Sequence, residues 1–207
     1  MGPQDLLAQL ESFQPRARTA FAALCCERLL PNYQAFQVSE QWGDLSRLSA
    51  SMDTVWNYVL GHIIDETRVL ELQAGCKAVA PDTEEYSSLY AELALTTASA
   101  VYMVLQTVLD KEAQTAVSVA ELALTAVDEY LNRVTQPFLI VHGSNNEFEQ
   151  WLQKAPMFNI ERLMQQENLE IARTISTMSS EQINRARETE RARGIQPFLR
   201  GLVKERI

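Results

Sequence analysis

A chain of 207 residues with 46% hydrophobic and 22% charged side chains has material for one large core. Such a chain buries about 70% of the surface it exposes when unfolded, so it needs no metal or disulfide staple. The net charge of −9 and the pI near 4.8 oppose binding to nucleic acid or an anionic bilayer, whose phosphates the chain repels.

A soluble cytosolic protein is therefore expected, with neither a nucleic-acid nor a membrane partner. Cys25 and Cys26 are adjacent, poor geometry for a disulfide, and Cys76 stands alone. That usage fits a reducing compartment. The opening MGPQDLLAQLESF has no basic region and no apolar run of signal length. The most apolar stretch, 93–109, is interrupted by Thr96, Thr97, Ser99, Gln106 and Thr107, and reads as a buried helix.

In chain order, Leu6, Leu7, Leu10 and Phe13 predict a short amphipathic helix over 4–13. Pro15 suits the first turn of a second helix, 16–30, with Phe21, Leu24, Cys25 and Leu29 on its apolar stripe. Arg28 falls on that stripe, seven residues after Phe21. Pro31 should end or bend the helix. A short helix over 33–41 turns Tyr33, Phe36 and Trp42 inward. Gly43-Asp44 then stops one helix and caps the next. That next helix, 45–63, carries Leu45, Leu48, Met52, Val55, Trp56, Val59 and Ile63 on one side, with Gly61 inside it.

Residues 65–79 read as a short helix carrying Val69, Leu70 and Leu72, then a turn at Gly75. Pro81-Asp82-Thr83 announces a helix to Leu109, apolar nearly all round in its second half. After a break at Asp110-Lys111 comes a second apolar helix, 112–133. These two are expected to form a central antiparallel pair. Residues 134–146 read as loop, because the β-prone run 138–141 has no partner strand. Helical pattern resumes over 147–154, pauses at Pro156 and continues over 158–177. Ser179 and Gln182 form a capping box for a last helix, 180–193, ended by Gly194. The tail, 195–207, either docks or frays. The expectation is a single all-α domain over 1–207, a helical bundle.

Phe21, Leu24, Cys26-Glu27-Arg28, Pro31-Asn32-Tyr33 and Phe36, followed by Gly43-Asp44 and Trp56, form a pattern similar to the N-terminal signature of the YjaG-like bacterial family, domain of unknown function 416. The likeness is strong over 10–60, weaker over the central helices and weak after 134. It implies an all-helical protein of a bacterial cytoplasm. Gene neighbourhood in that family hints at histidine-kinase signalling, and no catalytic residues come with the resemblance.

Known chemistries are mostly excluded. The residues three before His62 and His142 are Val59 and Leu139, so the Glu-x-x-His pair of di-iron bundles is missing. No C-x-x-C, H-E-x-x-H, G-x-S-x-G or clustered glycine motif occurs. No cofactor or metal is expected. Residues 1–60 carry a net −2, the wrong sign for an N-terminal DNA-binding element.

What remains is a candidate cluster of Cys26, Glu27, Arg28, Asn32, Tyr33, Asp53 and Trp56, either a pocket or a structural corner. A half-buried Arg28 must be paired, and Asp44 and Asp53 are the acids nearest to it on neighbouring segments. The pair either locks two helices or forms an anion clamp. The adjacent thiols read first as small buried hydrophobes. Residues 179–207 carry +3 against −12 for the rest. Pairs such as Arg185–Glu188, Arg187–Glu190, Glu188–Arg191 and Glu190–Arg193 suggest a solvated helix, with docking on an acidic surface, including that of a second copy, as the alternative.

The leading functional expectation is an interaction or regulatory protein that binds a protein partner or small ligand, with self-association open to it. The alternative is an enzyme or small-ligand binder with an atypical site around residues 25–33.

Overall fold

The computed structural model describes residues 2–86, 88, 90–142 and 156–194. It is all-α, with no strand among the described residues. The helices are α1 (Pro3–Glu11), α2 (Pro15–Glu27), α3 (Leu30–Glu40), α4 (Leu45–Val59), α5 (Glu66–Ala78), α6 (Tyr90–Asp110), α7 (Ala113–His142), α8 (Pro156–Thr174) and α9 (Ser180–Ala192), with a 3-10 turn, Ile175–Thr177, between the last two.

The core is built on α2, α6 and α7, which pack on one another. α2 has buried alanines, cysteines and leucines on nearly every face, among them Ala20, Ala22, Ala23 and Leu24 at 0% exposure. Small side chains let neighbouring helices approach from several directions. α6 is long and apolar enough to cross a bilayer, with a mean hydropathy of 1.3, yet most of it is buried against other helices. Its buried threonines bond inside the fold. Thr107 Oγ1 donates to Thr19 Oγ1 of α2 at 3.0 Å, and Thr96 Oγ1 donates to Glu129 Oε1 of α7 at 2.7 Å.

Several predicted boundaries move. Pro31 does not stop α2; that helix ends at Glu27, and Pro31 sits in the first turn of α3, where a missing N–H loses no helical bond. α4 ends at Val59, and Gly61 lies beyond it at φ +106, a left-handed position that terminates the helix. Ile63 is consequently 96% exposed rather than inward. Gly75 lies within α5, and Leu70 of that helix faces solvent. Asp82 accepts from Glu84 N at 3.0 Å, which makes a turn over 83–85, and the helix starts only at Tyr90. Trp42 is part-exposed, edge-on to Phe36 with ring centroids 5.9 Å apart.

α7 continues through 134–142, where a loop was expected. A β preference without a partner strand leaves backbone groups unpaired, and continuing the helix pairs them. Residues 143–146, the predicted helix over 147–154 and the tail 195–207 lie outside the described residues. α8 begins at Pro156, again a proline in a first turn. Its inward face is largely polar. Glu161, Gln165 and Asn168 are buried on it beside Leu169 and Ala172, while Leu163 is 58% exposed. The predicted caps hold: Asp44 accepts from the amides of Ser46 and Arg47, and Ser179 and Gln182 close a reciprocal capping box.

Candidate functional site

Between α2 and α3 the chain passes through Arg28 and Leu29 in helical-range dihedrals, φ/ψ −66/−22 and −86/−25. Consecutive residues on a helix end point roughly 100° apart. Glu27 and Arg28 therefore face different neighbours, and two buried ion centres grow from one corner.

Glu27 is 0% exposed and faces α4 and α9. Its Oε1 accepts from Trp56 Nε1 at 2.8 Å and from Arg187 Nε at 3.1 Å. Its Oε2 accepts from Arg191 Nε at 2.9 Å and Nη2 at 2.5 Å. Arg187 also reaches Asp53 at 2.7 Å and lies 5.3 Å from the centre of the Trp56 ring. The indole thus donates to the carboxylate and offers its face to the paired cation.

Arg28 is 2% exposed and faces α8 and α9. It forks onto Glu161, Nε to Oε2 at 3.2 Å and Nη2 to Oε1 at 2.6 Å. Nη1 donates to Glu190 Oε2. The Asn168 amide oxygen accepts from Nη1 at 2.6 Å, and its nitrogen donates to Met164 O at 3.3 Å. Gln165 Nε2 donates to Glu161 Oε1 at 3.0 Å and to Ala120 O at 3.0 Å, tying α7 into the network. Arg193 closes the outer side, reaching Glu190 at 3.0 Å and Glu167 at 2.5 Å. A bidentate arginine–carboxylate pair with its remaining donors and acceptors engaged is the arrangement that offsets charge desolvation best.

The corner's backbone is used as well. The Leu29 carbonyl accepts from Thr97 Oγ1 of α6 at 3.1 Å. A side chain on Gly194, just past α9, would lie 2.6 Å from the Arg28 carbonyl oxygen. Glycine there lets the end of α9 seat directly on the corner.

Arg28 is thus paired with Glu161 and Glu190, not with Asp44 or Asp53. Asp44 caps α4 and pairs with Arg47 at 3.1 Å on the surface, and Asp53 belongs to the Glu27 centre through Arg187. The expected ladder along the last helix is replaced too. Arg185 pairs with Glu181 at 3.1 Å, and Arg187 and Arg191 turn inward to Glu27; of the predicted pairs, Glu190–Arg193 forms. Arg187 and Arg191 of the last helix thus dock on Glu27 and Asp53 of the same chain, while its Glu190 meets Arg28.

The remaining predicted residues separate. Tyr33 is fully buried, donates to Val79 O at 2.6 Å and accepts from Asp44 N at 3.2 Å, so it ties the α3–α4 junction to the end of α5. Asn32 is fully buried, and neither atom of its side-chain amide has a hydrogen-bond partner among the described residues. Burial pushes the Cys25 thiol up to about 12 although Arg28 pulls it down, and it pushes Cys26 well above its ordinary value. Neither presents a thiolate near neutral pH. The void beside Arg28 has about 20 Å³, room for little more than one water. Among the described residues no group of His, Cys, Asp and Glu is placed to hold a metal.

Nothing in the sequence analysis singled out Glu161, Gln165 or Asn168, and Arg187, Glu190, Arg191 and Arg193 were assigned to a solvated helix face. A signal exists for the first three: they fall at i, i+4 and i+7 and share a face with Leu169 and Ala172.

Fold and corner together define an all-α protein whose C-terminal helices are fastened by a buried charged seam. The chain belongs to the family described as "Protein of unknown function (DUF416)", whose match runs over residues 5–196. A crystal structure of a DUF416 family protein from Shewanella baltica OS155 is similar with a TM-score of 0.74 at 18% identity, covering 89% of this chain and 92% of that one. That likeness supports the fold. No curated protein matches.

Proposed function

We propose that this chain is a soluble cytosolic interaction or regulatory protein that acts by binding a protein partner or small ligand, and not an enzyme with its site at residues 25–33. One observation carries the reading: the reactive groups of that stretch are occupied by the fold. Glu27 and Arg28 are buried in ion pairs, Tyr33 bridges two segments, and both thiols are buried and protonated. An enzyme needs such groups open to substrate. A place beside histidine-kinase signalling rests on family association alone, and self-association remains part of the proposal.

The test joins two measurements on the folded protein. Thiol-reagent labelling is expected to leave Cys25 and Cys26 unmodified until denaturant is added. Capture of the tagged chain from the soluble fraction of its native host is expected to bring down a partner at fixed stoichiometry. Rapid labelling of either cysteine, with the chain recovered alone, contradicts the proposal and favours a reactive site at the corner.

A further inference from the structure

Away from the ion seam, a cleft of about 660 Å³ opens where the α1–α2 turn meets the end of α4 and the 3-10 turn after α8. We propose that this cleft binds a small organic anion, a carboxylate or phosphate carried on an apolar body.

Size comes first: the cleft is within the range of about 300–1,000 Å³ typical of small-molecule sites. Its walls divide by chemistry. Phe13, Val59, Ile175, Met178 and Ile183 supply apolar surface, and Tyr58 supplies a ring. Arg16, Lys111 and Arg173 supply positive charge, and no Asp or Glu among the described residues contributes to the wall. In a chain of net charge −9, a concavity with only cations is a local reversal of sign.

Two of the cations, Arg16 and Arg173, are held in place. Arg16 donates from Nη2 to Gly61 O at 3.0 Å and lies 5.6 Å from the centre of the Tyr58 ring. One bond and one stacking contact leave further N–H groups of its fork for an anion. Gly61, at φ +106, brings that carbonyl round. Arg173 lies 5.6 Å from the Phe13 ring and shares its charge with Glu170 at 3.2 Å, so it is the weaker contributor. Lys111 stands at φ +60 between α6 and α7, its carbonyl fixed by Arg18 Nη1 at 2.7 Å. Gln14 makes no side-chain cap on α2, whose first turn also lines the cleft and adds the positive end of a helix dipole.

The test is amide chemical-shift titration of the intact protein with phenyl phosphate and with benzoate, against phenol and inorganic phosphate. Saturable shifts are expected at Arg16, Ala17, Tyr58 to Leu60 and Ser176 with at least one of the two amphipathic anions. Phenol and inorganic phosphate are expected to bind at least about tenfold more weakly, since each lacks one half of the recognition. Lys111→Asn with Arg173→Gln, both exposed and the first tolerant of positive φ, is expected to weaken binding by about tenfold with unchanged circular dichroism. No saturable shift with either amphipathic anion overturns the proposal. So does phenol binding as tightly as phenyl phosphate, or an affinity indifferent to the double substitution.

Discussion

The interior around α2, α6 and α7 and the seam that fastens α8 and α9 solve the same problem with opposite materials. In the first, alanine, leucine and valine leave water, and any shape-compatible neighbour will serve. In the second, α9 buries only Ile183 and Glu190, and its docking depends on arginines meeting carboxylates: Arg187 and Arg191 converge on Glu27, and Arg28 holds Glu190 together with Glu161. Apolar burial is non-directional. Buried charge is directional, and losing one partner leaves the other stranded. The core therefore stabilises without choosing among apolar neighbours, and the seam sets where α8 and α9 lie.

Breaking the seam at its centre should have the largest effect. Arg28→Ala leaves the buried Glu161 without a cation and Glu190 with Arg193 alone, and should cost about 3–5 kcal/mol in chemical denaturation. Replacing the set together, Arg28→Met with Glu161→Leu and Glu190→Leu, should recover most of that loss, because uncharged residues of similar volume need no partner. A triple variant as unstable as Arg28→Ala would mean that the charges do more than cancel one another. For comparison, Leu105→Ala in the apolar interior should cost about 2–5 kcal/mol. No companion substitution of charge should rescue it.

Gly194→Ala sharpens the geometry. Its new methyl meets the Arg28 carbonyl, so a loss of about 1–3 kcal/mol is expected, concentrated in α9. An unchanged melting temperature would show that α9 does not seat on the corner this closely.

The smallest effect concerns Glu129, whose carboxyl burial raises from 4.5 to about 6. A folded pKa above the unfolded one means that the folded state holds the proton more tightly. The contribution is full below pH 4.5 and is lost as pH rises through 6. Glu129→Gln keeps an acceptor for Thr96, and it should raise the melting temperature at pH 7.5 with little change at pH 4. An equal shift at both pH values would contradict this.

How much was legible follows from the same contrast. Periodic Leu, Val and Ala marked the core helices, and the side-chain caps at Asp44 and Ser179 were readable because a cap is a local bargain between neighbours. Arg28 was identified as buried and in need of a partner, but its partners lie 133 and 162 residues away. Nothing local distinguishes Glu161 from a solvated glutamate except its register with Leu169 and Ala172. Arg187 and Arg191 suffered the opposite error: an alternating charge pattern looks like a wet helix face whether its acid is on the same helix or on another. Boundaries failed where proline and glycine have two uses. Pro31 and Pro156 start helices, and Gly61 ends one.

The Glu27–Arg28 corner holds α8 and α9 by charge. Hydrogen exchange of Glu27→Gln measures it most directly. The amide oxygen still accepts from Trp56, so the indole bond is kept while the carboxylate facing Arg187 and Arg191 is neutralised. Amides of α9 are expected to lose protection while those of α6 keep it. Protection of α9 equal to that of the wild type, or a loss spread evenly over α6 and α9, would contradict it.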